Sequence, residues 1–267
     1  MSTPDPTASI PAPLAVVTGA STGIGRSLAG VLAEHGYDLV LAADEPQIHE
    51  AARDLSSGGR SVRPVEVDLA TSEGVQALLA EVGEQPVAIA ALNAGVGANG
   101  RFDQVPLEDD LTVVDLNVRS TVHLAKAFVR SMVARGEGRV LITSSVAAVA
   151  PGPYQATYAA SKAFVHSFAE GIRQELKDTG VTVTSLMPGP TDTEFFSRAD
   201  MEDTRLGQMD GKDDPDEVAR DAYDALVAGK PHVTAGSFLN RVQAELGTHL
   251  PDAIATPLLA RLTKPRD

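Results

Sequence analysis

The sequence predicts an α/β protein built on a doubly wound sheet with helices on both faces. Three observations carry that expectation. From Leu14 onward, short runs rich in Val, Ile, Leu and Thr are nearly continuous rather than alternating, as suits strands covered on both sides. Longer amphipathic stretches separate them, and strand–helix–strand at this rhythm calls for parallel strands joined by crossovers. A glycine-rich turn, TGASTGIG at 18–25, falls between the first strand and the first helix.

The expected strands are LAVVT (14–18), DLVLA (38–42), SVRPVEV (61–67), VAIAAL (87–92), RVLITS (139–144) and VTVTSLM (181–187). Helical periodicity fills the gaps at about 24–35, 46–56, 72–82, 108–134 and 156–178. After Met187 the rhythm breaks. Residues 188–214 form a long polar stretch carrying the pair Phe195–Phe196, and a loop of that length reads as an active-site lid over about 190–214. A helix from Pro215 through Val227 and a last strand HVTAG (232–236) follow. One catalytic domain is therefore expected over 14–236. Residues 1–13, with four prolines and no basic run, read as a disordered leader, and 237–267 as a C-terminal extension whose role the sequence leaves open.

Composition removes several function classes. The chain has 267 residues, 43% of them hydrophobic, enough for a sizeable core. With seven Phe, four Tyr and no Trp, packing falls to aliphatic side chains, Ala and Gly. A net charge of −14 with no basic patch disfavours nucleic acid and anionic lipid. The absence of Cys excludes disulfides, zinc–thiolate sites and cysteine nucleophiles, and the six His lack ligand spacing, so no metal site is expected. No run of 18 apolar residues suggests a membrane helix, and a cytoplasmic protein is the expectation.

The chemistry starts at the first turn. Gly19 permits a tight exit from the strand, while Gly23 and Gly25 allow close backbone approach to a pyrophosphate at a helix N-terminus. No Gly-Lys-Ser/Thr follows, which disfavours a nucleoside-triphosphate loop. Asp44 stands 19 residues beyond Gly25, where a carboxylate bonds ribose hydroxyls and repels a 2′-phosphate; it could equally cap the next helix. Neither 43 nor 45 is basic, so NAD is preferred and NADP kept as the alternative. Asp68 ends the third strand and could meet adenine or cap a helix near Thr71. Asn93, Ala94 and Gly95 end the fourth.

Tyr158 and Lys162 lie four apart on one helix face, so an ammonium would lower the phenol pKa and make Tyr158 a general acid–base. Ser145 follows the fifth strand and could bond a substrate carbonyl with it; no Gly-x-Ser-x-Gly elbow supports a hydrolase. Asn117 is polar within an apolar helical stretch and needs a buried partner, either simply disrupting the helix or holding a water that links to Lys162.

Together, TGASTGIG, Asp68, NAG at 93–95, Asn117, Ser145, YAASK at 158–162 and PG at 188–189 resemble the short-chain dehydrogenase/reductase family across about residues 14–236. The resemblance implies a Rossmann-type fold with about seven parallel strands and NAD(P)-dependent interconversion of an alcohol and a carbonyl. By match to the family pattern, Tyr158 is the proton donor and acceptor, Lys162 lowers its pKa and holds the nicotinamide ribose, Ser145 orients the carbonyl and Asn117 holds a relay water. The cofactor residues it implies are Gly19, Ser21, Thr22, Gly23, Ile24 and Gly25 at the first turn, with Asp44, Asp68, Leu69, Asn93, Ala94 and Gly95. Pro188 and Gly189 shape the nicotinamide pocket, near Thr191, and Thr193 bonds the carboxamide. Ala43 stands where NAD-preferring members often carry the Asp, and Pro190 where a branched aliphatic residue is frequent.

Val96, Ala147, Val149, Tyr154, Gln155, Phe195 and Phe196 are expected to border a neutral, partly apolar alcohol or ketone. A homodimer or homotetramer packed through the two long helices is also implied, with Phe164 and Phe168 as interface or core. A catalytically inactive dinucleotide-binding regulator and an NAD-dependent lyase or epimerase are the alternatives.

Overall fold

The computed structural model describes residues 12–236 and 252–265. The expected disordered leader and residues 237–251 of the extension fall, apart from residues 12 and 13, outside the described residues. Seven strands form one parallel sheet: β1 Leu14–Thr18, β2 Asp38–Ala43, β3 Val62–Glu66, β4 Val87–Leu92, β5 Gly138–Thr143, β6 Val181–Pro188 and β7 His232–Ala235. Their spatial order is β3-β2-β1-β4-β5-β6-β7, so the order reverses between β1 and β4. In such a sheet the loops leaving the strand ends diverge at that point and open a crevice. Pro64, which cannot donate to a ladder, sits in β3 at the sheet's edge.

Continuous apolar strands need cover on two sides, and they have it. On one face, Leu14 and Val16 of β1 pack with Val75, Leu78, Leu124, Phe128, Val165 and Ala169 from α3 (Ser72–Val82), α5 (Thr121–Arg135) and α6 (Ala156–Glu175). On the other, Ala15 and Val17 meet Leu28, Leu32, Ile48, Val218 and Ala222 from α1 (Gly23–Glu34), α2 (Gln47–Ser56) and α8 (Pro215–Val227). Alternate residues of one strand thus serve two cores.

The expected helix over 108–134 is one rod with an interruption. α4 (Leu107–Val114) runs into a π turn, Asp115–Ser120, and then into α5. The wider turn carries Asn117, which is 2% exposed. α5 stops where Gly136 takes a left-handed conformation (φ 78°) and its N–H bonds Met132 and Val133 carbonyls. α6 ends at Glu175, three residues before the periodicity ends.

Residues 190–214 hold together around an apolar cluster of their own, Phe196, Ala199 and Met201 with Phe195 and Leu206. A parallel bridge between Thr191 and Asp213 closes the stem, and a short α7 (Phe195–Arg198) forms the tip. α9 (Asp252–Thr263) lies within the extension; the N–H of Leu206 donates to the carbonyl of Leu262 at 3.0 Å, and Thr263 Oγ1 donates to the carbonyl of Pro153 at 2.7 Å. No helix among the described residues is long and apolar enough to cross a membrane.

Candidate active site

The ends of β1, β4 and β5 are laced by three polar side chains, Thr18, Asn93 and Thr143. Thr18 Oγ1 accepts from the N–H groups of Asn93 (2.9 Å) and Ala94 (3.0 Å). Asn93 Nδ2 donates to the carbonyl of Gly19 at 3.3 Å, and its Oδ1 accepts from Thr143 Oγ1 at 3.0 Å. The turn after β1 is thereby set against the loop after β4, with room only for glycine. A Cβ on Gly19 (φ 63°) would come within 2.9 Å of Ala94 Cα, and one on Gly25 within 2.0 Å of the Gly19 carbonyl. α1 then begins with no side-chain cap at Thr22, leaving its first N–H groups for another partner. This uncapped helix end on a backbone cradle fits a pyrophosphate.

Of the residues the sequence assigns to the dinucleotide, all but Gly25 border one cavity of about 510 Å³. Gly25 is buried behind the turn. Asp44 is exposed just past β2 and does not cap α2, whose N-cap is Pro46. Asp68 does not cap α3 either. Thr71 does, accepting from the N–H of Gly74 at 3.0 Å, while Asp68 Oδ1 takes the N–H of Ala70 at 2.8 Å.

Ser145, Tyr158 and Lys162 border the same cavity. Ser145 starts a 3₁₀ turn, Val146–Val149, with Oγ accepting from the N–H of Ala147 at 3.1 Å. The neighbouring Ser144 instead donates to the carbonyl of Lys162 at 2.8 Å, inside the wall. Burial pushes the Tyr158 phenol up to about 12, opposed by its hydrogen bond with Ser145. Burial also draws the Lys162 ammonium down to about 8. The expected lowering of the phenol by the ammonium does not set its pKa: desolvation dominates, and what opposes it comes from Ser145, not Lys162. Lys162 Nζ is 5.8 Å from the centre of the Tyr158 ring and donates to the carbonyl of Thr143 at 3.0 Å.

Asn117 does not border the cavity. Its Oδ1 accepts from the N–H of Val96 and its Nδ2 donates to the Val96 carbonyl and to Ser161 Oγ, each at 2.9 Å. A Cβ on Gly95 would lie 3.0 Å from Lys162 Nζ and 3.1 Å from Asn117 Oδ1, so the two polar groups flank one point.

Among the expected substrate neighbours, Val96, Ala147, Val149, Gln155, Phe195 and Phe196 border the cavity. Tyr154 does not. It takes a left-handed conformation (φ 61°), turns into the adjoining cavity, and its carbonyl accepts from the N–H of Gly100 at 2.8 Å. Phe168 packs against the core while Phe164 is 46% exposed.

Several contributors escaped the sequence reading. Leu258, Leu259 and Leu262 of α9 border the cavity, as does Arg198. Arg198 is ion-paired with Glu45 and with Glu194, the latter at 3.3 Å. Its partial burial opposes the charge, but Glu45, Asp44 and Glu194 more than offset this and hold its pKa above the ordinary value. The i,i+4 spacing of Glu194 and Arg198 was visible in the sequence; the partnership with Glu45 was not.

The family model for short chain dehydrogenases matches residues 13–203. The chain belongs to the short-chain dehydrogenase/reductase family. It is an NAD(P)-dependent oxidoreductase. An uncharacterized oxidoreductase of Myxococcus xanthus is 38% identical to this dehydrogenase over 180 residues, 66% of this chain and 70% of the relative. The chain spans only 40% of the length of the probable oxidoreductase EphD of Mycobacterium tuberculosis, at 32% identity. A Sphingobium yanoikuyae short-chain dehydrogenase solved with NADPH superposes at TM-score 0.78 and 26% identity, covering 96% of this chain and 98% of that one. A Burkholderia phymatum family member solved with NAD gives 0.81 and 25%, with the same coverage.

Proposed function

We propose that this dehydrogenase interconverts a neutral, partly apolar alcohol and its carbonyl compound, with Tyr158 as general acid–base and NAD preferred to NADP. The observation that carries the reading is that Tyr158 and Ser145 border the same cavity as the glycine turn, with Tyr158 one helical turn from a buried Lys162.

In reduction, Tyr158 gives its proton to the carbonyl oxygen. A phenol held near 12 keeps that proton at neutral pH, and the buried surroundings strengthen its hydrogen bond to an oxygen gaining charge. Ser145 donates to the same oxygen and fixes its position. Lys162, anchored on the Thr143 carbonyl, brings positive charge beside the phenol and favours the phenolate left behind. In oxidation the same groups work in reverse. A bound nicotinamide dinucleotide supplies the hydride or accepts it.

The glycine turn and the start of α1 would hold the pyrophosphate, Asp44 the adenosine ribose, and Asp68 with Leu69 the adenine. Asn93 to Gly95, Pro188, Gly189, Thr191 and Thr193 would hold the nicotinamide half. Asn117 would hold a water beside Lys162. The carboxylate of Asp44, exposed at the cavity edge, favours a free 2′-hydroxyl. Apolar groups from 146–149, α7 and α9 favour an uncharged substrate. Exposed Leu107, Leu111 and Phe164 on α4 and α6 support self-association through that side.

The test is a panel of alcohols and ketones assayed with NAD(H) and NADP(H) separately, on the wild type and Tyr158→Phe. Turnover of a neutral substrate with NAD(H), lost in the variant, is expected. Normal turnover in the variant overturns the role of Tyr158.

A further inference from the structure

The edge of the cavity beyond β2 holds a charge arrangement that Asp44 alone does not explain. Arg198 closes α7 and pairs with Glu45, whose other oxygen accepts from Ser21 Oγ in the glycine turn at 3.0 Å. One carboxylate thus ties the phosphate-side turn to the 190–214 segment, 153 residues away. Thr193 presses on the same turn, since a Cβ on Gly23 would come within 2.9 Å of its Cγ2. Among the described residues bordering the cavity, the cations are Lys162 and Arg198. Lys162 is buried beside Tyr158 and committed to Thr143. Arg198 is therefore the cation at hand for a charged group arriving beside Asp44.

We propose that Glu45 and Arg198 set the dinucleotide preference, Glu45 withholding from a 2′-phosphate the guanidinium that would otherwise receive it. The inference rests on the dinucleotide reading above and adds the residue pair that decides between its two forms. A 2′-phosphate needs a fork of N–H donors, which guanidinium supplies in matching geometry. Here Asp44, Glu45 and Glu194 face that single guanidinium, so the corner presents an excess of carboxylate. A ribose hydroxyl donates to such a surface, and a phosphate is repelled by it. The preference follows from which partner Arg198 holds, and one isosteric change at Glu45 releases it.

The test measures dissociation constants of NAD and NADP by titration calorimetry on the full chain, for wild type, Glu45→Gln, Arg198→Gln and the double variant. Thermal unfolding run alongside confirms that each is folded. Glu45→Gln is expected to tighten NADP relative to NAD by about tenfold, the scale of one hydrogen bond to a charged group. The double variant is expected to lose that gain. An unchanged NADP-to-NAD ratio in Glu45→Gln overturns the proposal. So does a gain that survives in the double variant, since removing a negative charge would then account for it. If the wild type binds NADP more tightly than NAD, the NAD preference fails, and withholding by Glu45 fails with it. If the wild type prefers NAD but Glu45→Gln does not change the ratio, the preference stands on Asp44 and only the pair is lost.

Discussion

The rings of Phe195 and Tyr158 lie 5.2 Å apart, centre to centre, at an angle of 46°. That contact sets the tip of the 190–214 segment over the proposed acid–base. Phe195 is braced in turn by Phe196 edge-on at 5.8 Å and by the backbone at Gly97, where a Cβ would come within 2.9 Å of the ring. A segment long in sequence and polar in composition is thus held against the acid–base by an aromatic side chain, as Arg198 and Glu45 hold it against the glycine turn. Phe195→Ala should remove a ring contact worth about 1 kcal/mol beyond its buried area and let water reach the phenol. The expected outcome is a KM for an apolar ketone raised about tenfold, with the dinucleotide dissociation constant unchanged. Steady-state kinetics decide it; an unaltered KM would remove the segment from substrate binding.

Tyr158 and Ser145 border one cavity, yet their losses should differ. Tyr158→Phe removes the proton and should lower kcat by about 10²–10⁴-fold. Ser145→Ala keeps the proton but removes one donor to the developing charge, and should cost about 10²–10³-fold. Neither change should move the dinucleotide dissociation constant by more than about twofold. A Ser145→Ala variant with wild-type kcat would mean that the serine serves only to start the 3₁₀ turn.

Lys162 makes a prediction about stability. Its pKa stands at about 8 in the folded protein against an ordinary 10.5. Below pH 8 folded and unfolded chains both carry the proton, and the folded state bears the whole cost of burying it, about 3 kcal/mol from that difference. Between pH 8 and 10.5 the unfolded chain binds more protons, so stability rises with pH; above that window the cost is gone. Lys162→Met lacks this dependence but gives up the bond to Thr143, worth about 1 kcal/mol. Urea unfolding at pH 7, 8, 9 and 10 should show the wild type gaining on the variant as pH increases. Parallel curves would mean that the ammonium is not buried as described.

The parts legible in the sequence were those whose cause is local. Continuous apolar runs predicted β1, β4 and the two-sided cores, and a helix with Tyr158 and Lys162 four apart predicted a shared face. Glycines at 19, 23 and 25 predicted the turn because a Cβ there has nowhere to go. What the sequence hid depends on contacts between distant residues. Nothing near Glu45 announces Arg198, and nothing in α9 announces that Leu262 bonds Leu206. The π turn at Asn117 was hidden as well; the Asn117 it carries finds its partners on the backbone of Val96, on another loop. The phenol pKa was misjudged for the same reason: spacing reveals the neighbouring charge but not the depth of burial.

Asn117 tests whether that π turn is structural or functional. Asn117→Leu strands the N–H and carbonyl of Val96, each costing about 1–3 kcal/mol when buried without a partner. A drop of several degrees in Tm is expected for this reason alone. Asn117→Ser, smaller and still polar, separates the two roles through the pH profile of kcat. If Asn117 serves proton exit through Lys162, the profile shifts in this variant while KM holds. If it only ties the loop, KM rises and the profile stays.

α9 borders one side of the cavity. Leu258 is 53% exposed, and that surface borders the cavity where a substrate would lie; Leu259 and Leu262 stand beside it. An apolar side chain left open beside a reacting centre gains about 25 cal/mol for each Å² that a substrate covers. The helix is held in place at its C-terminal end by Thr263 on Pro153 and by Leu262 on Leu206, so it acts as a fixed wall. Leu258→Ser should therefore raise KM for a ketone with a long alkyl or aryl arm by about tenfold. A small aliphatic ketone, too short to reach α9, should be turned over as before. Kinetics with the two ketones side by side decide the point: equal changes for both, or none for either, would detach α9 from substrate selection. Dinucleotide affinity serves as the control, since the residues proposed to hold it lie on the turn after β1, the loops after β2 to β4, the end of β6 and the residues just after it, and not on α9.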